Sequence, residues 1–347
     1  MTEGFTGRLE LAVPGRSIRE HTELASLAKQ SGFTGAWVSE VAGFDAVTQA
    51  VAVGRAMPGC RVGTAIVPMQ TRDPLLMAMS ANSLAEVLDG RFALGLGTST
   101  RVIIEDWHSR PWDSPIAMTR EYVGLIRQFL DGEMVTTEGR FSYKRARLAG
   151  RCGHPVPVYL AALNDRMLRL AGEVADGVIL NFASPAYFQH ALPRVAEGRE
   201  RRNGAGAPFE TIAFFRVTVA DDFGAVRERY QRELLTYFLS PVYQRMFGGE
   251  GLGELCDEVQ ARWKSGDRAG ALATIPDRVL KDRVLAGTVA EIELQLNDYF
   301  DAGLDTAILL PVPVPGRDHR EECEHIIAAL GAITARIALA TTLEETA

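Results

Sequence analysis

Eight short apolar segments, spread along the chain and separated by stretches of helical periodicity, constrain this sequence more than any other feature. Residues 9–13, 36–39, 61–67 and 92–96 read as strands in the first half, and 156–161, 178–181, 211–219 and 306–310 in the second. Most are apolar at consecutive rather than alternate positions, so both faces must be buried, as in a parallel sheet covered by helices. Residues 21–30, 45–56, 74–88 and about 116–130 carry apolar side chains at helical spacing. Gly32 stops the first of these helices, and Pro74 opens the third, where a missing N–H costs nothing. Eight such units in 347 residues predict an α/β fold, a (β/α)8 TIM barrel, as one domain over 1–347. A doubly wound sheet fits less well, because G-L-G-T-S-T puts Thr100 where a dinucleotide fingerprint needs glycine.

Two insertions interrupt the alternation. Residues 134–148, with Val135, Phe141 and Tyr143, predict a hairpin. Residues 222–286, with Tyr230, Leu234, Leu235, Tyr237 and Phe238 on spaced turns, predict a helical insertion before the last strand.

A net charge of −7 argues against a nucleic-acid or anionic-membrane surface. Arg199, Arg201 and Arg202 sit beside Glu197 and Glu200 and read as a solvated helix end. Cys60, Cys152, Cys256 and Cys323 form no C-x-x-C pair, so neither a zinc site nor a disulfide framework is expected, and no metal. With no secretory signal pattern and no apolar run of about 20 residues, the expectation is a cytoplasmic protein.

A barrel carries its chemistry at the C-terminal ends of its strands. Strand four runs G-R-F-A-L-G-L-G into Thr98, Ser99 and Thr100, a turn where a ligand can approach the backbone closely. The other ends are small and apolar, with few titratable groups and no catalytic triad or metal-spaced histidines. That composition suits a bound cofactor that carries the chemistry while the protein orients it. Asn164 is an N-cap candidate whose helix start could hold a phosphate.

Glu40 is the first candidate for a general acid, since apolar walls would raise its pKa, with a structural hydrogen bond to cofactor or backbone as the alternative; His108 is the second, with an exposed loop histidine as the alternative. Phe44, Trp107 and Trp112 are candidate walls of a substrate pocket. Glu105 and Asp45 are weaker acid candidates, and Arg72 reads as a surface ion pair or a contact for an anionic tail. Tyr237, Tyr243 and Phe247 read as amphipathic helix packing, with a lid as the alternative.

The segments G-T-A-I-V-P-M-Q-T-R-D-P, R-F-A-L-G-L-G-T-S and Y-L-A-A-L-N-D-R-M-L-R-L-A-G-E-V-A-D-G-V-I-L-N resemble the bacterial luciferase-like superfamily. Within it they most resemble the oxidoreductases that use the deazaflavin coenzyme F420, and the resemblance spans residues 9–311. It implies a deazaflavin lying across the strand ends. A non-prolyl cis bond at Ala65–Ile66, with Val67 beyond it, would back the ring. Gly97, Thr98 and Ser99 match the turn under the cofactor's side chain, and Ala161, Ala162, Leu163 and Asn164 the phosphate-side turn. The chain departs from some relatives at Val41, where they place a histidine after the acidic residue, so their dehydrogenase mechanism does not carry over.

The function expected is a coenzyme F420-dependent oxidoreductase. Working as a reductase, it would pass hydride from the deazaflavin C5 to a C=C, C=N or C=O bond. A reduced-FMN monooxygenase and a non-catalytic flavin-binding barrel are the alternatives. Expected partners are a small-molecule or modified-peptide substrate and a second copy of the chain, with no nucleic acid and no membrane.

Overall fold

Each of the eight apolar segments forms a strand in the computed structural model, which describes residues 7–202 and 207–345. The parts of the one-domain reading at 1–6, 203–206 and 346–347 lie outside the described residues. In chain order the elements begin β1 (Arg8–Ala12), α1 (Ile18–Gln30), β2 (Gly35–Val38), α2 (Ala46–Ala56), β3 (Arg61–Thr64), β4 (Val67–Pro68), α3 (Pro74–Val87), β5 (Phe92–Gly97) and α4 (Pro115–Leu130). There follow β6 (Val135–Thr137), β7 (Tyr143–Ala146), β8 (Val158–Ala161), α5 (Asp165–Val174), β9 (Gly177–Asn181), α6 (Pro185–Arg199) and β10 (Glu210–Val219). The chain continues through α7 (Gly224–Phe238), α8 (Pro241–Gly249), α9 (Gly253–Lys264), α10 (Arg268–Ala273), α11 (Asp277–Lys281) and β11 (Leu285–Gly287). It ends with α12 (Val289–Asp301), β12 (Thr306–Pro311) and α13 (His319–Glu345).

β1, β2, β3, β5, β8, β9, β10 and β12 pair in parallel and close on themselves through β12 and β1. Closure is the fold's answer to unpaired strand edges, and this is the predicted TIM barrel. Alternation along each strand sorts its side chains. Leu9 and Leu11 face the helices, whereas Ala12, Trp37, Ala93, Tyr159, Ile179, Ile212 and Ile308 fill the interior. β3 contributes a glycine to that interior because a Cβ on Gly63 would lie 2.3 Å from the Trp37 indole.

The N-terminal end of the barrel is plugged by charge. The Arg61 guanidinium bridges Glu10 at 3.0 Å and Glu210 at 2.7 Å, and Trp37 Nε1 donates to Glu10 at 2.5 Å. Tyr159, Thr306 and Arg8 also donate to Glu210. Burial alone would raise the Glu210 carboxyl, but Arg61 and these hydroxyls hold it down to about 2.

Four details differ from the sequence reading. The third strand is broken after Thr64 and resumes at Val67, while the cis bond expected at Ala65–Ile66 is present between the two pieces. The loop after β5 holds a helical segment, Val102–Trp107. The insertion at 222–286 is helical over α7 to α11, but its end is β11, which pairs with β10 and was too short to show periodicity. The remaining helices shift by one to three residues at their ends, set by caps such as Asp45, Asp73 and Ser184. The hairpin at 134–148 is β6 and β7; Val135 of β6 and Leu148, just beyond β7, pack with Phe129 of α4. No helix among the described residues is long and apolar enough to cross a membrane.

Candidate active site

The opposite end of the barrel is open. A cavity of about 840 Å³ lies over the C-terminal strand ends, bounded on one side by β2 and β3 and on the other by β10, α7 and α8. Its floor is built from backbone held in place by side chains. Ser39 Oγ donates to Ala65 O at 2.7 Å, and Glu40 N to Ile66 O at 3.2 Å, so the break between β3 and β4 is tied to the end of β2. Thr64 Oγ1 accepts from Gly95 N and donates to Gly95 O, both at 2.8 Å. A Cβ on Gly95 would stand 1.8 Å from Thr64 O, so only glycine allows this approach.

The turn after β5 is pinned from two sides, because Thr98 O accepts from Trp112 Nε1 at 2.9 Å and from Gln70 Nε2 at 3.1 Å. Ser99 adopts the left-handed region at φ 52°. At the end of β8, Asn164 occupies the N-cap position of α5 but caps nothing with its side chain. Its Nδ2 donates instead to Val242 O at 3.1 Å, tying α8 to the rim of the cavity. Arg166 and Arg245 also line the cavity; both are exposed, and neither has a carboxylate partner among the described residues. Nearby Asp165 is already engaged by His190 at 2.8 Å.

Of the residues singled out in the sequence, the structure brings Glu40, Ala65, Ile66, Gly97, Thr98, Ser99, Ala161, Leu163, Asn164 and Trp112 together in this lining, with Val41 beside them. Val67 and Ala162 are buried behind the wall in the main core. Three others lie outside the lining. Phe44 is 40% exposed and packs edge-on against His21, Trp107 is 56% exposed, and His108 is exposed at the end of the same helical segment.

Glu40 requires a correction. Burial would raise its carboxyl as the sequence suggested, but Arg72 grips it with Nη1 at 2.6 Å and Nη2 at 2.8 Å. Ala46 N adds a third donor at 2.8 Å, at the start of α2. These interactions outweigh burial and hold the pKa below the usual carboxylate value. Glu40 is therefore an ionised anchor, with no proton to give near neutrality. Arg72 is half of the same pair, and its side chain is only 15% exposed, so the pair is largely buried rather than superficial. Asp45 caps α2 through Thr48 N, and Glu105 pairs with Arg101.

Tyr237 and Tyr243 line the cavity from the helical insertion, whereas Phe247 packs behind them against Phe238. Arg216 and Asn181 also face the cavity and did not stand out among the sequence candidates. A signal for Arg216 was present. Glu210, Ile212, Phe214 and Arg216 alternate along β10, so beyond the plug residue Glu210 the interior-facing side returns to a charge at Arg216 within the otherwise apolar run A-F-F-R-V.

The model of the luciferase-like monooxygenase family matches residues 5–306. A Mycobacterium tuberculosis protein assigned as a coenzyme F420-dependent oxidoreductase is 28% identical over 84% of this chain and 90% of its own. The 5,10-methylenetetrahydromethanopterin reductase of Methanolobus tindarius is 26% identical over 87% of this chain and 93% of its own. The coenzyme F420-dependent tetrahydromethanopterin reductase structure from Methanopyrus kandleri superposes with a TM-score of 0.76 over 94% of this chain and 97% of that one; at 20% identity this is a likeness of fold. With a family match across most of its length, a closed barrel and an open cavity at the strand ends, the chain belongs to the luciferase-like monooxygenase family.

Proposed function

We propose that the chain is an oxidoreductase whose cavity takes coenzyme F420, using it to reduce a C=C, C=N or C=O bond of an organic substrate. The observation that carries this reading is the pairing of an apolar, glycine-backed floor with a cationic rim. Ala65 and Ile66 would back a flat ring, and Gly97, Thr98 and Ser99 would flank the chain attached to it. Leu163, Asn164 and the start of α5 would face the phosphate, where helix amides favour an anion. Arg166 and Arg245, without a carboxylate partner among the described residues, suit a tail that carries several negative charges. Names of relatives point the same way.

When bound, the deazaflavin supplies hydride chemistry at its C5. The protein's share is orientation and exclusion of water by Trp112, Tyr237 and Tyr243. Glu40 holds Arg72 and the start of α2 in place beside the ring site and moves no proton, so the proton that completes the reduction would come from solvent.

Equilibrium binding of the purified protein to oxidised F420 and to FMN, each at low and high salt, tests this. F420 should bind at least about 10-fold more tightly than FMN at low salt and lose affinity as salt screens the arginines. FMN binding tighter by that margin overturns the assignment in favour of a reduced-FMN monooxygenase, a reading that the family match accommodates. Oxygen uptake with reduced FMN then confirms the change.

A further inference from the structure

Arg216 is a charged side chain built into the cavity wall at the point where strand ends give way to the helical insertion. Its side chain is only 9% exposed. Three hydrogen bonds and a stacking contact fix it. Nε donates to Glu233 at 2.6 Å, one Nη to Asn181 Oδ1, and the other to Tyr237 Oη at 3.1 Å. The guanidinium lies 3.9 Å from the centroid of the Phe182 ring. A guanidinium has five N–H donors, so after these three bonds one donor on each Nη has no partner among the described residues. Among the described residues Glu233 is the only carboxylate in an ion pair with it, and it is itself 28% exposed, so water shares part of that countercharge.

Next to it, Asn181 Nδ2 donates to Tyr243 Oη at 2.6 Å. That bond uses the phenol as an acceptor and leaves its own O–H without an acceptor among the described residues, able to donate toward the cavity that Tyr243 lines. Tyr237 and Tyr243 stand 4.6 Å apart at a steep angle, and Phe214 continues the aromatic wall.

We propose that this corner is a substrate subsite that binds a carboxylate attached to a flat apolar body. The two free N–H groups of Arg216 and the Tyr243 hydroxyl take the carboxylate oxygens, and the aromatic wall takes the body. A fixed guanidinium with donors to spare matches a carboxylate better than a neutral oxygen, because the charged hydrogen bond is stronger and completes the countercharge of a buried cation. The same geometry explains why Arg216 is held so firmly, since a preorganised donor loses little freedom on binding. The proposal rests on reading this cavity as the reaction site but not on which cofactor fills it.

trans-Cinnamate and its uncharged counterpart cinnamamide are the probes, titrated by ligand-observed NMR against the protein with and without oxidised F420. Cinnamate should bind about 10-fold more tightly than cinnamamide. Removing both charges with R216Q/E233Q should abolish the preference and leave F420 affinity within about 3-fold. Y243F should weaken cinnamate about 3- to 5-fold, the scale of one hydrogen bond. Thermal melting checks that each variant folds. If R216Q/E233Q does not, R216K keeps the charge but not the fork and should still lower the preference at least about 3-fold. Equal binding of the two probes by the unmodified protein overturns the proposal. So does an undiminished preference in folded variants, or a loss of F420 affinity as large as the loss of cinnamate. If F420 fails to bind while the cinnamate preference stands, the cofactor assignment falls and the subsite remains.

Discussion

At the N-terminal end of the barrel, Arg61 directs its guanidinium entirely at protein groups. Glu10 and Glu210 hold it from two sides, with Thr306 and Tyr159 completing the set. At the C-terminal end, Arg216 is more deeply buried but has, among the described residues, one carboxylate and two idle donors, while Arg166 and Arg245 have no ion pair among them. Both ends are lined by interior-facing positions of the same strands. The difference lies in satisfaction. A saturated network closes one mouth and contributes stability and a fixed register, whereas an unsaturated one keeps the other mouth ready for an anion. Unused donors, rather than the presence of buried charge, distinguish the open end from the closed one.

Breaking the closed end should produce the largest effect. Arg61→Leu leaves the buried Glu10 without a cation and Glu210 with only the half-exposed Arg8, and should cost about 3–5 kcal/mol of stability in urea unfolding. Cofactor affinity of the folded fraction should be unchanged. A loss under about 1 kcal/mol would mean that the plug is not structural.

Acid should open the same end. Glu210 titrates at about 2 in the folded protein against an ordinary 4.5. A lowered folded value gives stability that is fully present above the ordinary pKa and is lost as pH falls from about 4.5 toward 2. The expected loss is about 3 kcal/mol, followed by urea titrations across that window. In Glu210→Gln this part of the acid sensitivity should disappear.

Glu40 lies between the extremes, at the open end but satisfied. Glu40→Gln should cost about 1–2 kcal/mol through the weakened Arg72 pair and α2 start, as measured by unfolding. The pH–rate profile should keep its shape between pH 5 and 8. A limb in that range that vanishes in the variant would return Glu40 to the role of acid.

The smallest change in stability belongs to the unpaired rim. Arg166→Gln should alter stability by no more than about 0.5 kcal/mol. F420 affinity should fall several-fold at low salt, with a shallower salt dependence. An unchanged salt dependence would remove Arg166 from the tail-binding role.

The eight βα units, the hairpin and the helical insertion were legible because apolar periodicity is a local property that burial on two faces imposes on each segment. The small-residue turns at Gly97–Ser99 and Ala161–Asn164 were legible for a related reason, since close backbone approach leaves a mark in side-chain size. Partnership was not local. Glu40 reads as a carboxyl among apolar walls until Arg72 folds across to it from the end of the next unit. His108, Trp107 and Phe44 sit in connections between strand and helix whose path no periodicity encodes, and the structure leaves them outside the cavity lining. β11 has three residues, too few to show a period. The sequence by itself determined the barrel and the end of it that carries the site, because strand order and strand polarity follow from the alternation of βα units. Only the tertiary structure decided which charges are satisfied and which are left over, because a side chain's protonation and its free donors depend on neighbours that closure of the barrel brings together from distant parts of the chain.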